Sequence, residues 1–128
     1  DNLQEYIKQW LSKADDDLST ARRLIEIEPY ILDPACFHCQ QAVEKYLKAY
    51  LVYKEVDFEK THNINYLLEE CSKFDADFKN FDVKNINEFA VDIRYPDDSI
   101  MPDLDKVKEY LQIAEQVKTL VESKINLA

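Results

Sequence analysis

Apolar residues recur in steps of three and four along most of the chain, which is the signature of helices that bury one face. Leu3, Ile7, Trp10, Leu11, Ala14, Leu18, Ala21, Leu24 and Ile25 predict a first amphipathic helix from about Leu3 to Glu28, closed by Pro29. Asp33-Pro34 predicts the start of a second, with Asp at the N-cap and Pro at the first helical position. Ala35, Cys39, Ala42, Val43, Tyr46, Leu47, Tyr50 and Leu51 form its apolar face to about Lys54. Gln41, Glu44, Lys45 and Lys48 fall on the opposite side, with Glu44 and Lys48 as an i,i+4 ion pair. After a polar link, Thr61 or Asn63 caps a third helix that carries Ile64, Leu67, Leu68 and Cys71. Phe78 and Phe81 mark a connection that packs back on the core. A short fourth helix is expected from Val83 or Asn85 to Ile93, with Asn85 and Glu88 resembling a capping box. Pro96 forces Tyr95 out of helical geometry, and a closing helix from about Asp103 carries Leu104, Val107, Leu111, Ala114, Val117, Val121 and Ile125. The pattern therefore predicts an all-α, up-and-down four- or five-helix bundle, a single domain over residues 1–128.

Composition narrows the chemistry. The chain has no glycine, which excludes the glycine-rich loops that let a backbone approach a phosphate, the P-loop and the Rossmann fingerprint alike. Its formal net charge is −10, so as a whole it repels a polyanion, and any nucleic-acid role needs a local basic cleft or a basic partner. No apolar run is long enough for a membrane helix, and no charged start followed by an apolar core reads as a signal peptide; the expected compartment is the cytoplasm. Cys36, Cys39 and Cys71 are an odd set, which argues against a disulfide framework. A zinc site drawn from Cys36, Cys39, His62 and Cys71 has the wrong spacing for a zinc module, so the cysteines read as small buried hydrophobes and no metal or cofactor is expected.

Two polar residues stand out. Arg94 lies at the end of the short apolar segment, before Tyr95 and Pro96, where a guanidinium can fork onto a phosphate or carboxylate. The alternative is that it pairs with a carboxylate inside the bundle such as Glu44 and ties two helices together. His62, at the start of the third helix, can cap or pack there, or serve as a general acid or base near neutral pH.

The stretch Ala35-Cys36-Phe37-His38-Cys39-Gln40-Gln41-Ala42-Val43-Glu44-Lys45-Tyr46-Leu47-Lys48-Ala49 resembles the second-helix signature of the HEPN family (higher eukaryotes and prokaryotes nucleotide-binding). Thr61-His62-Asn63-Ile64 with Leu67-Leu68 resembles the start of that family's third helix, Arg94-Tyr95-Pro96 its arginine segment, and Trp10, Ala14, Asp17, Leu18 and Ala21 its first helix. The resemblance implies a bundle that dimerises and binds nucleotides or RNA. Stand-alone prokaryotic members are often encoded beside a minimal nucleotidyltransferase, as a toxin–antitoxin or related pair. In the family's nucleases the motif is Arg, four to six residues, then His. Here Tyr95-Pro96-Asp97-Asp98-Ser99 follows Arg94 and no His comes after it. The resemblance thus points to a binding module rather than an enzyme, with Arg94, Tyr95, Lys45, Lys48, Gln41, Glu44 and His62 as candidate ligand-binding residues. Two alternatives stand beside it: a metal-independent endoribonuclease toxin with a variant site at Arg94 and His62, and a non-catalytic dimeric protein-interaction scaffold.

Overall fold

The structure, a computed structural model, describes residues 1–91, 95–97 and 101–127. Within them are four α-helices and no strand: α1 (Asn2–Arg23), α2 (Leu32–Tyr53), α3 (Ile64–Ser72) and α4 (Leu104–Lys124). Short 3-10 turns at Ala76–Asn80 and Ile86–Phe89 lie between α3 and α4. Three helices are capped by side chains: Asp1 accepts from Gln4 N, Asn63 from Tyr66 N and Asp103 from Lys106 N, each meeting a backbone donor that the helix start leaves unpaired.

α2 is the central element. Of its 22 residues 13 are buried, and it packs most extensively against α1 and then α4. Such a helix must be apolar or self-satisfied on several faces rather than one. That overturns the expectation that Glu44 and Lys48 face outward: both are buried, together with Gln40. The core joins Leu18, Tyr46, Leu47, Tyr50, Leu67, Phe78, Phe89 and Tyr110 in one cluster drawn from all four helices and both 3-10 turns. Phe78 packs on Tyr50 with ring centroids 4.6 Å apart, and Phe89 meets Tyr110 edge-on at 5.6 Å. Side-chain contacts fix the directions of the long helices. Trp10 meets Lys48 while Asp17 meets His38, so α1 and α2 run antiparallel. Asp15 meets Lys118 while Arg22 meets Glu115, so α4 also opposes α1. The short α3 follows the sense of α2, with His62 at its start touching Gln40 and Cys71 at its end donating to Leu47 O.

Two predicted helix ends move for identifiable reasons. α1 stops at Arg23 rather than Glu28. Past Arg23 the bonds tighten to the i−3 pattern, Ile25 N to Arg22 O at 3.2 Å and Glu26 N to Arg23 O at 3.3 Å, and Ile31 N then closes the loop onto Leu24 O at 3.0 Å. At the other end of that loop, Ile31 is the N-cap of α2 and Asp33 lies within its first turn, so the expected Asp33 cap does not form. The expected fourth helix is only the Ile86–Phe89 turn over the described residues, because the Asn85 side chain that was to cap it instead accepts from the Tyr110 hydroxyl. Its predicted end at Ile93 lies outside the described residues. No described helix is long and apolar enough to cross a membrane.

Candidate functional site

The end of α2 shapes the site. Val56 N donates to Leu51 O at 3.1 Å and Glu55 N to Val52 O at 2.9 Å, the paired bonds of a Schellman motif. That motif needs a left-handed residue just past the helix, and Glu55 supplies it with φ 57° because the chain has no glycine to offer. The chain then runs back along α2 through residues 56–63. Tyr66 secures this link by accepting from Glu59 N through its hydroxyl, and Thr61 Oγ1 accepts from Asn63 N.

Between the link and the N-terminal half of α1 lies a groove of about 840 Å³. Tyr6 and Trp10 of α1, Lys48 and Val52 of α2, and Glu55, Phe58, Lys60 and His62 of the link line it. Tyr6 and Trp10 meet edge-on at 6.1 Å, and the Lys48 ammonium lies over the Trp10 ring at 5.7 Å. The groove thus joins an aromatic wall to a polar end, the composition expected of a small-molecule site.

A buried carboxylate organises the polar end. Glu44 is 3% exposed. Its Oε2 receives Lys48 Nζ at 2.9 Å and its Oε1 meets His62 Nδ1 at 2.8 Å. Gln40 Nε2 and Gln41 Nε2 each add a longer contact to Oε1 at 3.5 Å. Gln40 also donates to His62 O at 2.9 Å and accepts from Gln41 Nε2 at 2.7 Å, so this buried amide is satisfied on both ends. The imidazole itself is 67% exposed at its side chain. An ionised carboxylate only accepts, so the Nδ1 facing it is the donor, and Nε2 is the ring nitrogen left outside this contact.

Of the residues singled out by sequence, Glu44, Lys48, His62 and Gln41 come together here. Lys45 does not: its Nζ binds Asp17 Oδ2 at 2.6 Å, and His38 Nδ1 meets the other oxygen of Asp17 at 2.8 Å, forming a separate cluster between α1 and α2. Tyr95 is 65% exposed. Arg94 lies outside the described residues, as does the question of its partner. Gln40, Tyr6, Trp10, Phe58 and Lys60 were not anticipated as site residues. The doubled glutamine and the lone tryptophan were the available signals.

The three cysteines are buried, and burial pushes the Cys39 and Cys71 thiols far above their ordinary value. With His62 exposed at the groove, they form no zinc set. Among the described residues no group of three His, Cys, Asp or Glu side chains is placed to hold a metal ion.

The HEPN domain profile matches residues 7–124. The fold is similar to the crystal structure of ST0689, an archaeal HEPN homologue, with TM-score 0.66, 21% identity, and coverage of 94% of this chain and 98% of that one. No curated protein matches the chain.

Proposed function

This chain belongs to the HEPN family, and on that premise we propose that it is a nucleotide- or RNA-binding module, acting as a dimer beside a minimal nucleotidyltransferase in a toxin–antitoxin-like pair. One observation carries the binding part: an aromatic groove ends at an imidazole that a buried carboxylate holds in place, with Lys48 and Lys60 beside it. Tyr6, Trp10 and Phe58 offer faces and edges to a base, and Lys60, exposed and outside the described ion pairs, offers charge to a phosphate. The absence of a histidine after Arg94 favours binding over cleavage. Titration calorimetry with ATP, GTP, AMP and short RNAs tests it. Saturable heat that Lys60→Ala with His62→Ala abolishes supports the reading, and no heat from any ligand rejects it. Co-purification with the product of an adjacent nucleotidyltransferase gene tests the partner, and sedimentation tests the dimer.

A specific feature also supports a second reading. In this reading His62, held by Glu44 through Nδ1, would use Nε2 to take a proton from a ribose hydroxyl, which is the base's part in metal-independent RNA cleavage. An RNA cleavage assay of wild type, Arg94→Ala and His62→Ala decides it. Loss in both variants supports a nuclease, and equal activity in all three points to a contaminant.

A further inference from the structure

Resting on the nucleotide-binding reading, we infer that the groove takes one ribonucleoside unit by its sugar hydroxyls, with at most one phosphate, rather than a polyphosphate or an internal stretch of strand. Lys48, Lys60 and the Trp10 Nε1 are donors in the groove, and the link adds acceptor side chains at its lip. His62 presents Nε2 once Glu44 has fixed Nδ1. Glu55 and Asp57 stand on the lip with exposed carboxylates. Carboxylates hydrogen-bond ribose hydroxyls readily, as they do in dinucleotide sites, whereas they oppose phosphates. Lys48 is already paired with Glu44, so among the described residues that line the groove Lys60 is the cation left to set against Glu55 and Asp57. The balance at the lip therefore favours a ligand rich in hydroxyl donors with one anionic group at most.

Size and field agree. A groove of about 840 Å³ falls in the ~300–1,000 Å³ range that holds one small molecule. A strand continuing out of it meets a protein of net charge −10, and each added phosphate raises the repulsion. The base is placed against Tyr6 and Phe58, since the Lys48 ammonium already lies over the Trp10 ring, and the sugar then reaches the link where His62 stands. His62 is thus a specificity-determining residue and Glu44 a positioning residue that acts through it.

Trp10 is the sole tryptophan and lines the groove, so its fluorescence reports occupancy directly. Adenosine, guanosine, AMP, 2′-deoxyadenosine, dAMP, ATP and a short single-stranded RNA are titrated in parallel by fluorescence and calorimetry. We expect saturable quenching by the ribonucleosides and AMP. The deoxy forms should bind about tenfold more weakly, the loss of one hydrogen bond, and ATP more weakly than AMP. His62→Ala, checked for native helicity, should narrow the gap between the ribo and deoxy forms, and His62→Gln, which restores an acceptor, should widen it again. Equal affinity of wild type for ribo and deoxy forms overturns this inference and leaves nucleotide binding standing. So does heat without any change in Trp10, or ATP binding more tightly than AMP. Absence of both heat and quenching with every ligand overturns the underlying reading instead.

Discussion

Glu44→Ala is expected to be among the most damaging single changes to the polar part of this bundle. The substitution removes a carboxylate that is 3% exposed and leaves Lys48, 8% exposed, with its charge unpaired between α1 and α2. Removing one partner of a buried ion pair costs about 3–5 kcal/mol, because the other charge stays desolvated. Lys48 can relieve part of that by extending its ammonium into the groove it already lines, which places the expectation at the lower end, about 3 kcal/mol. For a chain of this size that corresponds to a fall in Tm of roughly 10 °C. In urea, with a slope of about 2 kcal/mol/M, the midpoint falls by about 1.5 M. The double variant Glu44→Leu with Lys48→Leu removes both charges and keeps apolar volume, so it should return to within about 1 kcal/mol of wild type. Chemical denaturation followed by far-UV circular dichroism measures all three proteins. A loss below about 1 kcal/mol in Glu44→Ala would mean that the pair behaves as a solvated surface bridge. A double variant as unstable as the single one would mean that shape rather than charge is at stake. Either result refutes the reasoning.

Cys36, Cys39 and Cys71 are buried, and Cys39 and Cys71 have thiols held protonated by burial, so a colourimetric thiol reagent at pH 8 should find none until urea unfolds the chain; a fast-reacting thiol in the native protein contradicts this. The Lys124 ammonium, assisted by the backbone N–H of Asp77, holds Asp75 below its ordinary value, so its contribution is present at neutral pH and is lost as pH falls through its depressed folded value. Urea midpoints of wild type and Lys124→Met should therefore differ at pH 7 and converge well below pH ~4; a constant gap down to pH 2 contradicts that linkage. Asn63→Ala removes both the α3 cap and the acceptor for Asn87 Nδ2, and should lower stability by about 1 kcal/mol, with no change in the urea midpoint as the contrary result. Glu55→Gly relieves a left-handed residue at the end of α2 and should raise stability by up to about 1 kcal/mol; a lower midpoint would show that the side chain itself is needed there.

The helices that bury one face were legible in the sequence. In α1 and α4 the residues that alternate inward, Ile7, Ala14, Leu18 and Ala21, then Val107, Ala114, Val117 and Val121, are those that the spacing predicted. α2 was legible as a helix but not as the centre. A pattern read in one dimension assigns Glu44 and Lys48 to solvent, and only their mutual satisfaction, with Gln40, Gln41 and His62, lets them stay inside. Asn85 failed as a cap for a related reason: its partner, Tyr110, is remote in sequence and enters only through the fold. His62 was flagged, yet its geometry depends on a link whose path is set by Glu55 adopting a conformation usually left to glycine. The groove was illegible because its walls come from three separate segments, and Lys45 was assigned to it because Asp17, its actual partner, lies on another helix.

The site turns on the contact by which Glu44 accepts from His62 Nδ1. Long-range proton–nitrogen NMR of the imidazole at a pH where the ring is neutral measures this directly. A protonated Nδ1 and an unprotonated Nε2 are expected in the wild type under those conditions, with the Nε2 resonance shifting on addition of AMP and the Nδ1 preference lost in Glu44→Gln. A ring protonated on Nε2, or an Nε2 signal indifferent to saturating AMP, would contradict it.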